Sequence, residues 1–122
     1  MSGEVSRVEK PWGYEIIWAK TDRYVGKVLH IEAGHALSLQ YHEVKEETIR
    51  LNSGKLILEV EEPGEARQRI HMLPGDSYHL RPRTIHRMIA EETCDVLEVS
   101  TPELEDVVRL EDRYGRAKGT AT

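Results

Sequence analysis

An amide, an imidazole and a carboxylate fall close together at Gln40, His42 and Glu47, with Gly34 before them and Gly54 after. Gln40 and His42 are two residues apart, so on a strand both side chains leave the same face, about 7 Å apart at the backbone. Glu47 follows a turn and reads as part of the neighbouring antiparallel strand. His86, just beyond a turn containing Pro82, is a candidate fourth donor from a separate strand. Two imidazoles, one carboxylate and one amide oxygen could share one divalent transition metal; the mix suits Zn, Mn, Fe, Co or Ni and does not choose among them. With a single negative charge among its ligands the ion would remain a Lewis acid, and open positions would make the site catalytic rather than structural. The same residues also fit a plainer reading. Gln40 and His42 would then lie on the solvent face of a half-buried strand, and Glu47 in the acidic run that starts at Glu43.

The elements that must position these donors are short and β-like. Strand-like runs extend over 14–19, 24–32, 37–42, 47–52, 55–61, 67–73, 77–80, 86–90 and 95–100. Turn signals separate them, among them Ala33-Gly34, Ser53-Gly54, Pro63-Gly64 and Pro74-Gly75-Asp76. This rhythm predicts an all-β chain of two packed antiparallel sheets or a small closed barrel, with alternate side chains pointing inward. Polar side chains on an inward face need partners, and a metal would supply one for Gln, His and Glu. From Glu103 to Tyr114 the apolar stripe Leu104, Val107, Val108, Leu110 allows a short helix, although Pro102 suits an extended tail equally. The residues from Gly115 to Thr122 read as a frayed end.

Composition narrows the function classes. The chain has 122 residues, 39% hydrophobic and 32% charged, with a formal net charge of −5. That is a single-domain length, and the mixed, mildly acidic charge offers no footprint for nucleic acid and no membrane anchor. No apolar run approaches a membrane span or a signal core, so a cytoplasmic location is expected. The single cysteine, Cys94, excludes an intrachain disulfide and a thiolate metal site; it reads as a small buried residue. His30, His35, His71 and His79 have no partner at ligand spacing and read as structural or surface residues.

Gly34-x5-Gln40-x-His42-x4-Glu47-x6-Gly54 has the spacing of the first cupin motif, with Gln for its first His. Gly75-x5-Arg81-x-Arg83-x2-His86 has the spacing of the second, with Arg81 and Arg83 where Pro and Gly are usual. Within the cupins the chain resembles the cupin domain of type II mannose-6-phosphate isomerases. The matching pieces are Pro11-Trp12-Gly13-Tyr14-Glu15, Leu37-Ser-Leu-Gln40-x-His42, Glu47, Thr84-x-His86-Arg87 and the tail from Glu105 to Arg116. The resemblance implies a small double-stranded β-helix (cupin) barrel of jelly-roll type, with the barrel at about 11–101 and a tail or short helix at 103–116. It also implies Gln40, His42, Glu47 and His86 as metal ligands, Gln being normal in that family. A homodimer is expected on the same fold-level analogy.

The resemblance further implies a metal-dependent aldose–ketose interconversion of a sugar or sugar phosphate, in which a base removes a proton between two carbons. The family's His/Arg-rich run after Gln-x-His is replaced here by Glu43-Val44-Lys45-Glu46. Lys45 stands where the family has an Arg implicated in substrate binding or catalysis. It is the candidate catalytic residue, since a desolvated Lys can lose its proton, or else a solvated loop charge. Trp12, Tyr78 and Arg87 are candidates for contacting substrate, and Arg81, Arg83 and Arg87 for receiving an anion. Trp12 and Tyr78 also suit the core, and Arg87 alternates away from His86. Two other functions stay open on the same fold: a metal-dependent dioxygenase or lyase, and a non-catalytic sugar-binding cupin.

Overall fold

A computed structural model describes residues 3–116 of the chain. Eleven strands run in order: β1 (Ser6–Lys10), β2 (Gly13–Lys20), β3 (Val25–Ile31), β4 (Leu39–Tyr41), β5 (Glu47–Ser53), β6 (Leu56–Glu61), β7 (Gln68–Met72), β8 (Ser77–Leu80), β9 (Ile85–Ala90), β10 (Cys94–Ser100) and β11 (Val108–Glu111). They form two antiparallel sheets, ordered β1-β2-β3-β10-β5-β8 and β11-β4-β9-β6-β7. The described residues contain no helix, and so none long and apolar enough to cross a membrane. The all-β jelly-roll expectation therefore holds.

Alternation builds the core. In β5, Glu47, Ile49 and Leu51 are buried while Arg50 and Asn52 face water. In β10, Cys94, Val96, Glu98 and Ser100 point inward. Leu29, Ile31, Ile49, Leu51, Leu56, Leu58, Leu80, Met88 and Val96 fill the space between the sheets, with Trp12 among them. Gly54 closes the β5–β6 turn at φ 91°, and a Cβ there would overlap the carbonyl oxygen of Thr93. A side chain is excluded by contact as well as by conformation.

The segment after Pro102 departs from the helical option. Leu104, Val107 and Leu110 are half-buried, but Val108–Glu111 pairs with β4 as an edge strand instead of coiling. Spacing alone could not exclude a helix, because four apolar residues in seven suit either geometry once a neighbouring strand offers its edge. Tyr114 then packs against the core, its hydroxyl 2.6 Å from His35 Nδ1. Of the frayed end expected at 115–122, Gly115 and Arg116 are ordered by Asp112, and the rest lies outside the described residues. β1, the other element the pattern missed, is an almost wholly exposed edge strand with no apolar period to betray it.

The remaining histidines and the cysteine are structural. Cys94 is buried with Sγ 3.0 Å from the Lys55 carbonyl oxygen, and burial pushes its thiol up to about 11. His71 and His79 sit exposed beside Glu91 and Glu46. His30 stacks on Tyr14, with Nδ1 2.7 Å from Asp95 and Nε2 3.1 Å from Glu32. Burial alone would lower the His30 pKa; the two carboxylates outweigh it and raise it. A raised folded pKa contributes stability below the unfolded value, near 6.5, and loses it as pH climbs through the folded value. His30→Gln should therefore cost up to about 1 kcal/mol more at pH 5.5 than at pH 9, since both carboxylates are partly exposed. Urea midpoints at the two pH values measure this, and an equal loss at both would contradict it.

Candidate metal centre

The two sheets each contribute an inward polar face. On the five-stranded sheet, Gln40 of β4 is in register with His86 of β9 on one side and with Arg109 of β11 on the other. Direct cross-strand partners share a face, so these three side chains form one row. On the six-stranded sheet, Lys27 of β3 is opposite Glu98 of β10, and Glu47 of β5 opposite Ser100. Glu47 thus belongs to the sheet facing Gln40, not to a strand beside it. The chain crosses between sheets in the loop 42–46, and that crossing aims His42 and Glu47 at each other.

His42, Glu47 and His86 meet between the sheets. One donor atom from each lies within 4.8 Å of the others, and all three residues are buried. His86 Nε2 is 3.2 Å from Glu47 Oε1, and His42 Nε2 is 3.7 Å from the same oxygen. Exposures of 5%, 3% and 1% for His42, Glu47 and His86 rule out the solvent-face reading. Glu43 and Glu46 of the acidic run are exposed, whereas Glu47 turns inward.

Hydrogen bonds behind the imidazoles fix what they offer. His42 Nδ1 donates to the Asp106 carbonyl oxygen at 2.5 Å, and His86 Nδ1 to that of Thr84 at 2.9 Å. Each Nε2 is then left with its lone pair toward Glu47, the arrangement by which metal-binding histidines are oriented. His42 Nε2, His86 Nε2 and Glu47 Oε2 are buried without a hydrogen-bond partner among the described residues. The two Nε2 lone pairs converge on Glu47 Oε1 in a low-dielectric interior, with Lys45 only on the Oε2 side, so a cation among the three would satisfy them. The donor set therefore fits a divalent metal ion. Gln40 lines the same cavity, its amide oxygen accepting the Ser38 hydroxyl at 2.6 Å.

The turns that hold the centre are specific. The Asp106 carboxylate accepts the backbone N–H groups of Glu43, Val44 and Lys45 at 3.1, 2.8 and 2.9 Å, and the bonds from Lys45 and Val44 foremost lower its pKa. Tail and loop are clamped together by this one side chain, while its carbonyl orients His42. Arg83, at the motif position where Gly is usual, adopts φ 67° and donates its N–H to the His42 carbonyl oxygen at 2.7 Å. A left-handed arginine costs about 1–2 kcal/mol, and here the turn ties His42 to the strand carrying His86.

Lys45 is neither a free base nor a solvated charge. It is 6% exposed, with Nζ 3.3 Å from Glu98 and 3.1 Å from Glu47 Oε2 in an ion pair off the line of a hydrogen bond. Burial would lower its pKa, but Glu98 and Glu47 overcome this and raise it, so Lys45 stays an ammonium. Burial raises the Glu47 carboxyl too, yet the Lys45 ammonium beside Oε2 helps hold it well below the usual carboxylate range. The Glu98 carboxyl, fully enclosed and near Glu47, is raised despite Lys45 and Lys27.

A cavity of about 170 Å³ opens beside this centre, lined by Trp12, Gln40, His42, Lys45 and Glu47 together with residues to which the sequence assigned no role. Those include Lys10, Glu15, Lys27, Glu98, Arg109 and Arg116. The signal for Lys27 and Glu98 was present: each falls in phase with buried apolar neighbours, Val25, Leu29 and Ile31 for one, Val96 for the other. Trp12 is both core and cavity wall. Tyr78 and Arg87 do not line the cavity. Tyr78 packs on the core near Glu62, and Arg87 faces outward onto Glu59 at 2.8 Å. Arg81 and Arg83 pair at the surface with Glu62 and Glu43.

The fold and its motifs agree with known proteins. The family model described as Cupin domain matches residues 27–100. Among solved structures, KdgF from Halomonas sp. superimposes with TM-score 0.70 at 20% identity, over 85% of this chain and 92% of that one. The capsular polysaccharide assembling protein CapF from Staphylococcus aureus gives 0.73 at 17% identity, over 90% of this chain and 35% of CapF. Oxalate decarboxylase from Bacillus subtilis gives 0.76 at 15% identity, over 88% and 30%. The chain thus spans nearly all of KdgF and about a third of the other two, and at these identities the likeness is one of fold. No curated protein sequence matches. Because the family model covers more than half of its length, the chain belongs to the cupins.

Proposed function

We propose that this cupin is a metal-dependent isomerase that interconverts the aldose and ketose forms of a sugar or sugar phosphate. The observation that carries the reading is the meeting of His42 Nε2, His86 Nε2 and Glu47, buried and without hydrogen-bond partners, beside a cavity that mixes charged, polar and apolar side chains. His42, Glu47 and His86, with Gln40 beside them, would hold the ion. When bound it supplies Lewis acidity toward substrate oxygens, one of the ordinary uses of such a site.

The chain's own groups must move protons, from one carbon to its neighbour and between the attached oxygens. Lys45 is held as an ammonium and serves instead to balance Glu47 and Glu98. Glu98 faces the cavity with a raised carboxyl, chiefly from burial, which suits it to hold and release a proton. Trp12 and Leu29 form part of the apolar wall of the cavity. The names of KdgF and oxalate decarboxylase do not decide the reaction here, since cupin barrels host many chemistries.

Metal-loaded protein incubated with mannose 6-phosphate and related sugars and phosphosugars, followed by NMR, is the direct test. Interconversion is expected with at least one of Zn, Mn, Fe, Co and Ni. Glu98→Gln should lower it about 10²- to 10⁴-fold while retaining metal. Absence of interconversion with every ion and sugar would overturn the isomerase reading, and tight sugar binding without turnover would identify a binding protein instead.

A further inference from the structure

Arg109 stands out among the charged groups of the cavity. Lys27 and Glu15 face each other at 3.4 Å, Lys45 is paired twice, and Arg116 grips Asp112 through two contacts at 2.8 and 3.1 Å. Arg109 has no carboxylate at ion-pair distance among the described residues, and its Nε is shut away from solvent without a hydrogen-bond partner. Burial first, and the neighbouring Arg116 charge second, lower its pKa, against a smaller raising effect of Asp112. A half-buried guanidinium with an unpaired Nε and no carboxylate at ion-pair distance, on a cavity that also carries Arg116, is an arrangement that an anion would complete.

Its position gives that anion a role. Arg109 and His86 flank Gln40 in one cross-strand row, so their Cα atoms are two strand steps apart, roughly 10 Å in an antiparallel sheet. The metal centre lies at one end of the row and the unpaired guanidinium at the other, both on the same cavity. Glu47 in the centre and Glu98 beside it are already engaged by Lys45.

We propose that Arg109, with Arg116 beside it, is an anion subsite that receives the phosphate of a phosphorylated substrate whose reacting end lies at the His42–Glu47–His86 centre. The subsite rests on the functional reading above for what lies at the other end, but not for the anion itself. Arg offers the planar fork that matches phosphate oxygens, and the edge strand β11 places it on the cavity lining. The Arg116–Asp112 pair holds the second guanidinium in place, so the subsite is built before a ligand arrives.

Inorganic phosphate is the probe. Chelator-treated protein, in which no metal can bind the anion, is titrated with phosphate by calorimetry alongside Arg109→Gln and Arg109→Lys, with acetate as a second anion. The wild type should bind phosphate more tightly than acetate. Arg109→Gln should weaken phosphate binding about 10- to 100-fold, and Arg109→Lys less, with thermal unfolding and metal uptake unchanged. Equal phosphate affinity in wild type and Arg109→Gln, or no phosphate binding by the wild type, would overturn the subsite. Acetate matching phosphate would overturn its assignment to a phosphate group. The two readings fail separately. Phosphate binding that depends on Arg109 without sugar turnover leaves the subsite standing and removes the isomerase. Turnover of a phosphosugar with the same KM in Arg109→Gln does the reverse.

Discussion

Replacing Lys45 with methionine should destabilise the metal-free protein by about 3–5 kcal/mol, far more than removal of a surface lysine. The side chain is enclosed with Glu47 and Glu98 on either side, and both carboxylates are themselves buried. Methionine fills the volume but leaves two like charges in a low-dielectric interior, with Lys27 the nearest cation to Glu98 and none left for Glu47. Breaking one partner of a buried ion pair is costly because the other charges remain. The effect should shrink on adding Glu98→Gln to Lys45→Met, since one orphaned carboxylate is then neutral; this is a coupling that a double-mutant cycle reads directly. Urea unfolding in the presence of a chelator measures both. A loss below about 1 kcal/mol would mean that Lys45 is solvated, as an exposed loop lysine would be.

Metal binding should itself be a large stability term. In the metal-free chain, His42 Nε2 and His86 Nε2 are buried without a hydrogen-bond partner, and both face Glu47 Oε1. A ligand that binds only the folded state stabilises it by about 4 kcal/mol at a thousandfold excess over Kd. For a domain of this length that corresponds to a rise in Tm of roughly 10–20 °C. A chelator should reverse the rise in the wild type, and His86→Ala should abolish it, because that variant keeps only two of the three clustered donors. A metal-independent Tm would show that the three acceptors are satisfied in some other way.

The parts of the molecule legible in the sequence are those where one face is buried. Alternation in 47–52 and 95–100 marked β5 and β10, because Ile49, Leu51 and Val96 must point inward while their neighbours meet water. Gln40 and His42 were visible because their spacing follows the same period, and Glu47 and His86 joined them through the resemblance to the cupin motifs. β1 was not, since this exposed edge strand pairs through backbone with few apolar positions, and β11 was not, since its apolar residues suit a helix as well as a strand. The placement of Glu47 on the sheet opposite Gln40 was hidden as well, because a loop between strands looks alike whether it makes a hairpin or crosses the sandwich. The inward charges were the costliest omission. Lys27 and Glu98 occupy core-phase positions, and Arg109 reaches the cavity only because the tail folds back as β11. Asp106, which carries the loop and orients His42, belongs to no spacing rule at all; its role exists only once tail and loop are in contact.

The centre formed by His42, Glu47 and His86 is most directly tested by elemental analysis of the purified protein after metal loading and desalting, beside His42→Ala and His86→Ala. The account predicts one divalent ion per chain in the wild type and its loss from both variants, with their folds retained. The same metal content in all three proteins, or none in the loaded wild type, would contradict it.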